Sequence, residues 1–269
     1  MNFFEKTDFG NGIIRISTPF DVYVYLIIGR EKAALIDTGY GVGDLKTYIR
    51  SITELPLIVL CTHGHVDHAS GSDQFEEVYL NHNDWYLERS HTTIEKRIEF
   101  AENLSGIRPK EEDMILQRTR QYLDIESGKK IDLGGLEIEA IACPGHTQGC
   151  MCYLVKELRM LLLGDACNSR SFLFYPEASK IQDYLISLEK LNARSDDFDH
   201  VLFFHPDNFG DKNNIEENIE VCKEILSSKD DHIPFNILGC DVFAAKEVYS
   251  DGRRVDGKSA NILYTSEKL

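Results

Sequence analysis

LIVLCTHGHVDHASG, residues 57–71, joins a continuous apolar run to three histidines and an aspartate within six positions, His63, His65, Asp67 and His68. A run of strand length without alternation predicts a strand buried on both faces over 57–62. The chain leaving such a strand is extended, so His63 and His65 project to one side with small Gly64 between them. Asp67 and His68 are adjacent and point elsewhere, so the spacing offers two pairs of ligands. Neutral imidazole and carboxylate hold zinc, iron or manganese, and a catalytic site gathers several while leaving a position for water. Such a constellation arises by chance in roughly one sequence in a thousand of this kind, and the stretch is therefore read as a metal site.

Outward from it, short β-branched and aromatic runs predict strands at 13–17, 22–29 and 33–37, with a hairpin connection at Gly29-Arg30-Glu31-Lys32. Residues 42–55 have helical spacing and stop at Pro56. Between about 83 and 128 the composition turns charged, which predicts a helical insertion begun by Trp85 and Tyr86. Strands are expected again at 136–143, 150–155, 159–165 and 200–204, helices at about 178–193 and 215–226, and a terminal hairpin around 250–254. The count suits two sheets flanked by helices in a single domain spanning 1–269.

The chain has 269 residues, 42% of them hydrophobic, enough for a sizeable core. Its formal charge of -16 disfavours a nonspecific grip on nucleic acid, which needs a basic groove. No apolar run reaches the ~20 residues that span a bilayer, and the N-terminus lacks a signal-peptide pattern. Seven cysteines without such a signal read as reduced thiols, and a cytoplasmic location is expected.

THGHVDH at 62–68 resembles the signature of the metallo-β-lactamase superfamily, and PGHT at 144–147, GD at 164–165, FHPD at 204–207 and DTG at 37–39 match further elements in the family's order. The resemblance implies an αββα sandwich, an α/β fold of four layers. It implies one metal held by His63, His65 and His146 and another by Asp67, His68 and His205, with Asp165 bridging. His205 is preferred to His200 because it follows the apolar strand. Asp37 is either a helix N-cap or a residue orienting a ligand histidine. Cys61 and Cys143 end apolar strands and read as core. Cys167, Phe172, Phe174 and Tyr175 are candidates for the substrate pocket.

Two divalent ions ~3.5 to 4 Å apart, zinc foremost and iron or manganese as alternatives, can share a water, lower its pKa toward ~7 and present a bridging hydroxide. Asp67 is the expected catalytic residue, orienting that hydroxide. The expected reaction is hydrolysis of an ester-like bond of a small molecule, a thioester or lactone as in the glyoxalase II and lactonase branches. A basic glutathione-binding tail like that of glyoxalase II is not recognisable. Phosphodiester hydrolysis and a mononuclear iron dioxygenase of the persulfide type are the alternatives.

Overall fold

The computed structural model describes residues 3–206, 208 and 210–269. In chain order the strands are β1 (Glu5–Gly10), β2 (Ile13–Thr18), β3 (Val22–Ile28), β4 (Ala33–Ile36), β5 (Leu57–Leu60), β6 (Val78–Tyr79), β7 (Lys130–Asp132), β8 (Glu137–Ala142), β9 (Met151–Val155), β10 (Met160–Leu162), β11 (Arg170–Leu173), β12 (His200–Leu202), β13 (Ile233–Ile237), β14 (Cys240–Ala244) and β15 (Asn261–Tyr264). The helices are α1 (Leu45–Arg50), α2 (Val66–Ala69), α3 (Trp85–His91), α4 (Ile94–Ser105), α5 (Ile181–Asn192) and α6 (Asn213–Leu226).

Strands β1 to β6 lie side by side in sequence order, antiparallel as far as β4 and parallel from β4 to β6. A second sheet runs β12-β10-β9-β8-β7, with β10 and β12 parallel. Period-two alternation builds the layers. Tyr25, Ile27, Ala34 and Ile36 face Ile138, Ala140, Met151 and Tyr153 across the sheet interface. Their neighbours Leu26, Leu35 and Val59 face outward onto Leu45 and Ile49 of α1. On the far side Cys152, Leu154 and Leu161 pack on Ile181, Leu185 and Leu188 of α5 and on Ile215, Ile219 and Cys222 of α6. This is the αββα order expected from the sequence. Each such buried Leu or Ile contributes roughly 1.5–3 kcal/mol.

Three expectations change. Within 85–105 lie two helices, α3 and α4, broken at Thr92-Thr93, α4 being capped by the Thr93 side chain at one end and by left-handed Gly106 at the other. Residues 107–128 form no α-helix: apart from a 3-10 turn at Glu111–Asp113 they are irregular, with single bridges from Met114 to Val42 and from Leu123 to Tyr79. Tertiary hydrogen bonds override helical propensity there: the Arg118 guanidinium donates to the carbonyls of Ser72, Phe75 and Glu76. The helix expected over 42–55 is confined to Leu45–Arg50, and its N-cap is Asp44, not Asp37. The terminal hairpin lies at β13–β14, while Val248 and Arg254 make only an isolated bridge.

β13 and β14 belong to a third sheet, order β11-β15-β14-β13, that the sequence reading lacks. Its β11 follows directly on the Asp165 loop, so the sheet grows from the edge where the histidines lie. Among the described residues no helix is long and apolar enough to cross a membrane.

Candidate metal centre

The carboxyl ends of β5, β10 and β12 and the β8–β9 loop meet at one edge of the sandwich, and each delivers part of a single cluster. His63 and His65 sit between β5 and α2, Asp67 and His68 on α2, His146 in the β8–β9 loop, Asp165 after β10 and His205 after β12. Cross-sheet bonds hold the edge together: Tyr153 Oη donates to the Cys61 carbonyl at 2.8 Å, Met151 N to the Thr62 carbonyl at 2.8 Å, and Tyr25 Oη to the Phe203 carbonyl at 2.6 Å. Two glycines allow the loops to close. A Cβ on Gly64 would lie 2.8 Å from the Asp84 carbonyl oxygen, and Gly164 has φ +55 with its face against Thr62.

The cluster is tight. His65 Nδ1 is 3.1 Å from His63 Nε2 and 2.8 Å from His146 Nε2, and His68 Nε2 is 3.3 Å from His205 Nε2. Asp165 Oδ1 lies 3.4 Å from His205 Nε2 and its Oδ2 3.7 Å from His146 Nε2; Asp67 Oδ2 is 3.5 Å from both His68 Nε2 and His205 Nε2. His200, at the start of β12, is exposed and outside the cluster.

Outward partners fix which ring nitrogens face in. His68 Nδ1 donates to Asp37 Oδ2 at 2.7 Å, His146 Nδ1 to the Phe172 carbonyl at 2.9 Å, and His65 Nε2 to Glu177 Oε1 at 2.8 Å. The Thr62 hydroxyl gives its proton to Asp37 Oδ2, so at 3.0 Å it accepts from His63 Nδ1. Four rings thus turn their second nitrogens toward one another at close range, an arrangement that is repulsive in the all-neutral state unless a cation, proton or metal, lies between them. Asp165 Oδ1 is buried with no hydrogen-bond partner among the described residues, the mark of an acceptor awaiting a cation. The donor set therefore fits divalent metal.

Electrostatics divide the cluster: His63 and His146 are held toward the neutral, ligand-type imidazole, whereas at His68 and His205 burial opposes the charge but the Asp67 and Asp165 carboxylates prevail and raise both rings above the ordinary histidine value. Burial, with the neighbouring rings, holds His63 well below the ordinary histidine value and His146 down to about 4. Burial opposes ionisation of Asp67, but the His68 and His205 rings prevail and hold its carboxyl below the usual range.

Asp37 is fully buried with φ +64, accepting from Thr62 N at 2.6 Å as well as from Thr62 Oγ1 and His68. Of the two readings of Asp37, its contacts match the one that orients a histidine. Sequence reasoning missed Asp84, which accepts from Gly64 N, Thr147 Oγ1 and Gly149 N and so clamps the two histidine loops together. No local motif marks it. Glu177 and His91 were missed too; His91 stacks on His65 with ring centroids 5.3 Å apart.

A cavity of about 630 Å³ opens above the cluster, with His65, Asp67, His146, Asp165 and His205 on its floor. Phe172 and Tyr175 line it as expected. Cys167 and Phe174 do not. Cys167 is fully buried beside Tyr184 and Asn218, and Phe174, just past the end of β11, turns into a cluster with Val242, Ala244 and Leu263. Trp85 packs behind β6 and Tyr86 is exposed, so neither reaches the cavity. Cys61 and Cys143 are core residues.

The model of the metallo-beta-lactamase superfamily matches residues 17–203, the span that carries all the floor residues but His205. The chain belongs to the metallo-beta-lactamase superfamily. It is a metal-dependent hydrolase of that superfamily. It is 25% identical over 212 residues to the acyl-coenzyme A thioesterase MBLAC2 of Homo sapiens, covering 71% of this chain and 76% of that one. It is 25% identical over 193 residues to the probable polyketide biosynthesis zinc-dependent hydrolase BaeB of Bacillus velezensis, covering 71% and 74%. Among solved structures a metallo-beta-lactamase from Pontibacter korlensis superposes with a TM-score of 0.61 at 16% identity, over 82% of this chain and 99% of that one, a likeness of fold.

Proposed function

We propose that this hydrolase carries two divalent ions, zinc foremost, and cleaves the thioester of a small acyl conjugate. One ion is assigned to His63, His65 and His146 and the other to Asp67, His68 and His205. Asp165 is assigned between them, since its two oxygens face His146 on one side and His205 on the other. Each triad has its ligand atoms within 4.8 Å of one another. When bound, such ions supply an activated water and a Lewis acid for the carbonyl oxygen.

The observation that carries the reading is the placement of this floor beneath a cavity that offers both apolar side chains, Phe100, Leu104 and Phe172, and cationic ones, Lys96 and Arg170, with a thioesterase among the relatives. Asp67, ionised and open to the cavity, accepts a hydrogen bond from the attacking water and aims it at the carbonyl carbon. Asp37, Thr62 and Glu177 hold the rings in the tautomers that leave the inward nitrogens free. The leaving thiolate needs no proton from the enzyme, so no side-chain nucleophile or poised acid is required.

The test is turnover by metal-stripped protein reloaded with zinc, manganese or iron, offered an acyl thioester, a lactone and a phosphodiester, with Asp67→Ala as control. Thioester cleavage that disappears in the variant is expected. Cleavage of the phosphodiester alone, or oxygen consumption with one iron per chain, would overturn the reading.

A further inference from the structure

Eight described residues other than glycine have positive φ, and only two of them are apolar, Phe20 at +66 and Leu238 at +52. Left-handed backbone is costly for a bulky L-residue, and such positions usually go to glycine, asparagine or aspartate. Both apolar exceptions line the same cavity.

Leu238 is the more informative. Ile237 pairs with Cys240, so Leu238-Gly239 is a two-residue hairpin loop with positive φ at both positions, the geometry that ordinarily selects Asn-Gly. Here the chain places leucine where asparagine would be less strained. The β13–β14 tip thereby brings Ile237 and Leu238 into the lining of the cavity that also holds the histidine floor and Phe100 and Leu104 of α4. An unfavourable backbone choice that sets an apolar side chain at a cavity mouth points to a binding role. The tip also lies beyond residue 203, outside the span shared with the family.

We propose that the β13–β14 tip is the specificity element of this enzyme, holding a medium-length aliphatic acyl chain against Phe100, Leu104 and Phe172 while its thioester carbon sits on the floor. The proposal rests on the thioesterase reading for its substrate and adds the part of the substrate that is selected. Phe100 and Leu104 of α4, Phe172 of β11 and Ile237 and Leu238 of the tip offer contact to each added methylene, whereas an acetyl group has a single methyl to place against them.

The experiment compares acetyl- and decanoyl-coenzyme A as substrates of the metal-loaded wild type, Leu238→Gly and Leu238→Asn. Both variants suit the turn, so their melting temperatures should equal or exceed that of the wild type. Wild type is expected to prefer decanoyl, and the ratio of decanoyl to acetyl kcat/KM to fall about tenfold in both variants. An unchanged ratio, or a wild type indifferent to chain length, overturns the proposal and leaves the thioesterase reading standing. If neither ester is cleaved the thioesterase reading fails, and calorimetry with decanoate decides the proposal separately. Binding about tenfold weaker in Leu238→Gly supports it, and equal binding overturns it.

Discussion

The floor of the cavity and its wall are built on opposite terms. On the floor His63, His65, His68 and His146 each have the outward nitrogen bonded to a named acceptor, and Asp37 and Asp84, both buried, accept three hydrogen bonds apiece. The wall sets apolar side chains, Phe100, Leu104, Phe172, Ile237 and Leu238, among polar ones, Lys96, Glu99, Asn103 and Arg170, and its third sheet is joined to the sandwich by polar ties at the surface. Among these is Glu217 of α6, which accepts from Ser259 and Ala260 just before β15. Chemistry at a metal demands ligand positions fixed within tenths of an ångström, whereas recognition of an aliphatic group asks only for shape.

If that division is right, the same size of change should do unequal damage in the two places. Asp67→Ala is expected to lower kcat about 10³-fold with an unaltered circular dichroism spectrum, and retention of more than a tenth of the activity would remove Asp67 from the mechanism. Stripping the metal should destabilise the whole protein: adding zinc back at about 1,000 times its dissociation constant should restore ~4 kcal/mol in urea unfolding. Leu238→Gly should show the same gain, and a smaller one would mean that wall and floor are coupled.

Asp37→Ala leaves His68 Nδ1 and both Thr62 donors without their acceptor. Metal affinity should drop about 10- to 100-fold in competition with a chromophoric chelator, and an unchanged value would make Asp37 a packing residue only.

The smallest effect belongs to the wall's tether. Burial opposes ionisation of Glu217, but the donors from Ala260 and Ser259 prevail and hold its carboxyl below the ordinary 4.5. A depressed folded-state value stabilises above the unfolded one, and the contribution fades as the pH falls through the folded value. Glu217→Gln should therefore cost about 1 kcal/mol at pH 7, allowing for partial exposure, with the gap to wild type closing below pH 4.5. A gap that persists at pH 3 would point to shape rather than charge.

The same division explains what could be read in the sequence. Candidate metal ligands are particular residue types at particular local spacings, so His63, His65, Asp67 and His68 announce themselves, and β5, which leads into them, is an unbroken apolar run. Their supports are less visible: Asp84 joins loops that are distant in sequence, and Glu177 sits in an unremarkable SFLFYPEAS segment. Wall residues are interchangeable hydrophobes. Leu238-Gly239 hides its hairpin because it lacks the asparagine that signals one. The third sheet escapes notice because β11 pairs with β15 far along the chain, and period two would place Phe174 beside Phe172, whereas packing on Val242, Ala244 and Leu263 turns it away from the cavity. The helix expected in 107–128 was a propensity that the Arg118 contacts overrule.

β15 occupies an inner position in its sheet, between β11 and β14. On a ribosome the proposed ligand set would be complete once His205 has emerged, but the hairpin cannot dock until Asn261–Tyr264 follow. At ~5–20 residues per second that interval lasts several seconds. For that time the nascent chain would own a reactive centre with no means of choosing its substrate.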